Sequence, residues 1–244
     1  MNANTSKPTP FQAKDRPELF ENPAILLSAS VPYLRKDYDL SAQDKILNQI
    51  YVETARYDLI RAAIAELCRQ VFQRDMTMIF GGHPAISPMV LSAAERFRSS
   101  PETGKRVIIF QSALYWDIIP QQTLKLGHWR HGEILWTQIK NGTSEKETRD
   151  LSLSYMRSLM VRSPNIRAAI CIGGMDGVEE EAQLFLDSQP VNRGLYPIAT
   201  TGSAAQALLN DKVCRSSNEI LERLGNDESY PRLFNKIMDE IKLP

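Results

Sequence analysis

"CIGGMDGVEEEAQLF", residues 171–185, joins the end of an apolar run to an acidic one through three glycines. The run containing its first residues, "AAICIGG" at 168–174, reads as a buried strand. "VEEEAQLFLD" at 178–187 reads as a helix. Gly173 and Gly174 end the strand, and Asp176 is placed to cap the helix. Glu179, Glu180 and Glu181 fill the first turns, where carboxylates complement the helix dipole. A buried strand that breaks on glycine and restarts as a helix is the repeating step of an α/β fold.

The same step recurs in both directions. "AILLSAS" (24–30), "MTMIFGG" (76–82), "RVIIFQS" (106–112), "EILWTQI" (133–139) and "GLYPIAT" (194–200) read as further strands. Helical spacing marks 54–72, where Leu59, Ala62, Ala63, Leu67 and Val71 share a face, and also 87–99, 145–161 and 203–210. Two more helical patterns lie around 216–224 and 230–242. Alternating strands and helices predict a parallel sheet, because parallel neighbours need a crossover. Near-continuous apolar strands fit burial on both faces. The expected fold class is α/β, a Rossmann-like three-layer sandwich with a mainly parallel sheet and extra C-terminal helices. Residues 1–22 are polar and proline-bearing and read as a flexible arm, 23–210 as a nucleotide-binding domain, and 211–244 as a helical extension of that domain.

Composition narrows the function classes. The chain has 244 residues, 43% hydrophobic and 24% charged, with 29 basic and 29 acidic side chains. A net charge of zero supplies no global field toward nucleic acid or an anionic membrane, so neither is expected as a partner. The three cysteines, Cys68, Cys171 and Cys214, are far apart and read as reduced thiols. "MNANTSKPTPFQAKDRPELFENP" has no hydrophobic signal core, and no run approaches the roughly 18 apolar residues of a membrane helix. A cytoplasmic location is expected. His128 and His131 in "HWRH" have no Cys or carboxylate pattern beside them to complete a zinc set, so no metal site is expected. No GxxxxGK[ST] or GxSxG element occurs, which argues against P-loop and α/β-hydrolase chemistry.

Ligands of open α/β sheets bind outside the carboxyl ends of the strands. The residues there are Ser28 and Ser30; Gly81, Gly82 and His83; Gln111 and Ser112; Gly173, Gly174, Met175, Asp176 and Gly177; and Thr200, Thr201 and Gly202. Glycines admit close backbone approach, helix-start amides favour anions, and hydroxyls add donors. Any one loop alone reads more readily as a tight turn, but several at one edge favour a phosphate-bearing ligand. Tyr115 after the third strand is placed either to stack on a base or to pack in the core.

These segments carry a resemblance. "GGMDGVEEE" is similar to the PGGxGTxxE motif of the Lonely Guy (LOG) phosphoribohydrolases, within the SLOG superfamily. "LSASVP", "FGGHPAISP", "CIGGMDGVEEE" and "IATTGSAA", spanning about 24–210, resemble in order and spacing SLOG cluster three, a group associated with prokaryotic antiviral defence and nucleotide signalling. The resemblance implies a Rossmann-like sheet that binds a nucleotide-derived ligand related to NAD or ADP-ribose. It places Glu181 at the catalytic glutamate and Gly174 and Gly177 in the nucleotide loop. It also offers Arg157 of "SYMRSLM" as a phosphate or ribose contact; the same helix reads equally as core methionines with an exposed arginine. Isoleucine replaces the motif's proline, one extra residue separates Gly174 from Gly177, and Val178 stands at the threonine. Sensors and hydrolases both belong to the superfamily. A sensor or regulatory module, acting with an effector protein or a second copy of itself, and an N-glycosidase working through Glu181 therefore both stand as expectations.

Overall fold

The computed structural model describes residues 9–10, 17–34, 41–96 and 104–241. Its sheet has six strands: β1 (Ala24–Ser30), β2 (Thr77–Phe80), β3 (Val107–Ser112), β4 (Gly132–Thr137), β5 (Ile166–Gly173) and β6 (Gly194–Ile198). All pair in parallel, in the order β4-β3-β2-β1-β5-β6. The chain steps outward from β1 to β4, then returns to the other side of β1 and continues through β5 to β6. The reversal falls between β1 and β5.

Period-two alternation along the strands sorts their side chains onto two faces. Ile25 and Leu27 of β1, Met78 and Phe80 of β2, and Ile170 and Ile172 of β5 pack on one face. Against them lie α2 (Tyr57–Gln73), α3 (Ser87–Arg96), α8 (Asn218–Leu224) and α9 (Tyr230–Ile241). Leu26, Ile79, Ala169 and Cys171 face the opposite core. That side is covered by α5 (Glu145–Val161), α6 (Asp176–Ser188) and α7 (Ser203–Asn210). The result is the expected three-layer Rossmann-like sandwich. Helices switch faces where the strand order reverses, as right-handed crossovers require.

Two helices depart from the expected pattern. The helix predicted at 54–72 is α2, which starts three residues later at Tyr57, and it is preceded across Ala55 and Arg56 by an unpredicted helix, α1 (Ala42–Thr54). α1 has no apolar stripe: it buries Asn48 and Tyr51 while Ile46 and Ile50 are exposed. A capping box starts it, with the Ser41 hydroxyl accepting from the Asp44 amide and Asp44 accepting from Ser41. α4 (Gln121–His128) is short and buries only Thr123 and Leu126, which is too little pattern to read. The fourth strand ends at Thr137, and Thr200 and Thr201 lie in a 3-10 turn after β6.

Much of the arm expected at 1–22 lies outside the described residues. Within it, Pro17–Phe20 form a 3-10 turn whose Leu19 and Phe20 are buried. Cys68 and Cys171 are buried free thiols, and Cys214 is half-buried. His131 is buried edge-on against Trp129. No described helix is long and apolar enough to cross a membrane.

The C-terminal helices lock onto the sheet. Tyr230 of α9 hydrogen-bonds Thr200 at 3.1 Å, and the Tyr196 hydroxyl donates to Glu240 at 2.8 Å. Gly202 joins this corner to the end of α1. Its φ of 75° and ψ of −164° suit only glycine, and a Cβ there would lie 1.9 Å from the Thr54 carbonyl oxygen. Gly202→Ala is expected to destabilise the fold by about 3 kcal/mol. For a chain of this size that lowers Tm by roughly 6–12 °C, measured by scanning calorimetry. An unchanged Tm would show that α1 moves aside freely.

Candidate functional site

β1 and β5 end side by side, with Ser30 in register with Gly173. A cavity of about 730 Å³ opens there, at the switch in strand order where ligands of doubly wound sheets bind. Ser30 to Tyr33, Gly81 to Ala85 and Gln111 contribute its sheet-side wall. Met156 and Arg157 of α5, and Met175 to Val178 with Glu181 at the start of α6, close the other side. The volume lies within the roughly 300–1,000 Å³ of small-molecule sites. A second cavity of about 920 Å³ adjoins it and shares Tyr33, Tyr115, Leu153, Arg157, Met175 and Asp176. Asn48 and Tyr51 of α1 and Lys146 and Arg149 of α5 extend this outer lobe. A further hollow of about 490 Å³, lined by Arg162, Asn165 and Arg193, is at the opposite, amino-terminal edge of β5.

Each of the three adjacent glutamates has a different partner. Glu179 accepts a 2.6 Å hydrogen bond from the Tyr51 hydroxyl and so ties α6 to α1. Glu180 takes the Arg157 guanidinium in a charged hydrogen bond that ties α6 to α5. Glu181 accepts from the Ser28 hydroxyl at 2.6 Å, and its other oxygen lies 3.5 Å from Arg157 Nε. With a side chain only 12% exposed, Glu181 is the more buried of the two carboxylates at the cavity wall, Asp176 being exposed. Burial pushes its carboxyl above the ordinary range, while Arg157 and Ser28 pull the other way. Gly177 makes room for this arrangement, since a Cβ there would lie 2.5 Å from Arg157 Nη2.

His83 is set differently. Its Nδ1 accepts the Ala85 amide at 3.2 Å, so the neutral ring carries its hydrogen on Nε2. Burial holds the imidazole down to about 4, which keeps it neutral at pH 7.

Of the residues singled out in the sequence, Ser30, Gly81, Gly82, His83, Gln111, Tyr115, Met175, Asp176, Gly177, Arg157 and Glu181 converge on the inner cavity. The others lie behind it. Ser28 holds Glu181, and the Ser112 hydroxyl accepts the Leu114 amide in a turn. The Gly173 amide donates to Thr201 Oγ1 at 2.8 Å, and the Gly174 amide donates to the Ser30 carbonyl at 2.9 Å. Thr201 in turn donates to the Ile198 carbonyl, Thr200 meets Tyr230, and Gly202 meets α1. The corner after β6 therefore braces the glycine turn. Asp176 is the first residue of α6, with Met175 at the cap position, which corrects the expected capping role; the extended Met175 has no side chain with which to cap. Tyr33, Asn48 and Tyr51 went unrecognised because their helix and its approach have no amphipathic pattern.

Residues 50–238 match the SLOG cluster3 family. The chain belongs to this family. SLOG membership points to a nucleotide-related function. The SLOG cluster3 match takes in the glycine turn, the acidic helix and nearly all of α9, so the C-terminal helices fall within it, while β1 with Ser28 and Ser30 precedes it. Among curated proteins, none matches the chain.

Two pH measurements test these electrostatics. Glu181 binds its proton more tightly folded than unfolded, where it titrates near 4.5. Its contribution is full below that value and is lost as pH rises through the raised folded value. Glu181→Gln is therefore expected to gain in Tm relative to wild type between pH 5 and pH 8; an equal gap at both would refute the raised carboxyl. His83 has the opposite sense. It binds its proton less tightly folded, so stability is lost as pH falls from about 6.5 to about 4. His83→Gln is expected to lose less Tm than wild type between pH 7 and pH 4.5.

Proposed function

We propose that this SLOG protein binds a nucleotide or nucleotide-derived signal of the NAD or ADP-ribose kind, as a sensor or regulatory module in a prokaryotic defence or stress system. The observation that carries the reading is the convergence of four loop ends and Arg157 on one cavity at the strand-order switch. Arg157 suits an anion, and Glu181 suits ribose hydroxyls. A sensor needs two states of different affinity, read by an effector protein or a second copy of the chain. The bonds from α9 through Thr200 and Thr201 to Gly173 supply a physical connection between the C-terminal helices and the turn.

A second reading is favoured by Glu181 itself. A buried carboxyl with a raised proton affinity, held by Ser28, is equipped for acid–base work. In an N-glycosidase, the C1′–N bond breaks, water supplies hydroxide to C1′, and the departing base takes up a proton. Glu181 would stabilise the cationic sugar or guide that water.

Incubation with AMP, NAD and ADP-ribose, followed by chromatography and thermal melting, separates the two readings. An intact ligand at 100 times its Kd adds about 2.7 kcal/mol, a rise of roughly 5–10 °C for this chain length. That outcome is expected of the sensor. Released base that disappears in Glu181→Gln establishes the hydrolase. The absence of both a melting shift and base release with all three compounds would refute nucleotide binding.

A further inference from the structure

The inner cavity has two chemically different sides. Among the described residues, the charged side chains that line it, Arg157, Asp176 and Glu181, all lie on α5 and α6. The described residues at the ends of β2 and β3 are neutral there, and their polar side chains are the uncharged imidazole of His83, the carboxamide of Gln111 and the phenol of Tyr115.

Gln111 is only 8% exposed, and its Oε1 is buried with no hydrogen-bond partner among the described residues. Buried amide oxygens are almost always paired, so one left unpaired beside a cavity calls for a partner from outside the protein. The chain also makes room for this group. Gly82 has a φ of 63°, and a Cβ there would lie 2.6 Å from Gln111 Oε1. A glycine in a left-handed conformation thus lets the backbone pass close to a polar group that no atom of the described residues satisfies. On its other polar side, His83 spends Nδ1 on a backbone amide and keeps Nε2–H as a donor.

We propose that Gln111 selects the ligand, its carboxamide pairing with a donor–acceptor edge of an uncharged heteroaromatic ring. This rests on the nucleotide reading above and adds an orientation and a specificity to it. The base lies toward β2 and β3, with its edge on Gln111 and His83 Nε2–H as a further donor. The sugar lies toward Glu181 and the phosphate toward Arg157. A carboxamide offers an acceptor and donors side by side, the pattern with which glutamine reads adenine bidentately in DNA. A site built to hydrogen-bond one edge discriminates strongly against a ring that lacks it, because its buried polar groups are then left unpaired.

The test is isothermal titration with AMP, IMP, GMP, CMP and UMP, alongside ribose 5-phosphate as the part they share. Wild type is expected to prefer one base by about tenfold or more. Gln111→Glu and Gln111→Met should remove that preference or reorder the series while leaving ribose 5-phosphate affinity within about twofold. Equal affinities for the five bases in wild type, or a ranking preserved in both variants, would overturn the assignment and leave nucleotide binding standing. Failure of every probe, ribose 5-phosphate included, would remove the nucleotide reading and this assignment together. The wild-type ranking stands as a test even where a variant does not fold.

Discussion

The parallel pairing of β1 with β5 is the contact on which the rest of the architecture turns. It joins Ala24–Ser30 to Ile166–Gly173 and brings Ser28 opposite Cys171 and Ser30 opposite Gly173. Because the crossovers on either side run in opposite directions, the two strand ends diverge into separate loops and leave a crevice between them. A slip of one residue in this register would turn Leu26 and Ile25 to the wrong cores. It would also carry the Ser28 hydroxyl away from the acidic helix. The cavity is a consequence of sheet topology before it is a consequence of any side chain.

The acidic run shows how local and tertiary physics divide the work. Carboxylates in the first turns of α6 are favoured by the helix dipole alone, which explains why the helix tolerates three in succession. The dipole says nothing about their directions. Successive helical positions are rotated by about 100°, so adjacent glutamates must point to different neighbours. Here those neighbours are α1, α5 and β1, and one glutamate consequently fastens each of three elements around the crevice. Glu181 is both a structural anchor and a carboxylate available at the cavity.

Strands were legible because their apolar runs are nearly unbroken and end in glycine or hydroxylated residues. The positions at their carboxyl ends followed once a parallel sheet was inferred. α1 was not legible, because a helix that buries an asparagine and a tyrosine while exposing two isoleucines inverts the usual pattern. Asp176 was misplaced by one step for a related reason. Capping residues are read from side-chain type, whereas the extended backbone of Met175 decides where the helix begins. Ser28 and the β6 corner lay at the right edge of the sheet, but edge position alone does not distinguish a wall from the layer behind it. That difference is set by contacts between residues distant in sequence, such as Gly173 with Thr201.

The ion pair between Arg157 and Glu180 has a thermodynamic consequence for any anion that enters. The guanidinium is already occupied, so a newcomer exchanges one counterion for another, and the net gain is the difference between two attractions. Displaced from Arg157, Glu180 is more than a spectator: it becomes an unmatched negative charge beside the incoming one, unless it swings into the outer lobe it lines. Such an exchange rewards ligands able to grip both amino groups of the fork at once and penalises weak or diffuse anions. An anion arriving at Arg157 would meet, already in place, a carboxylate the protein carries itself.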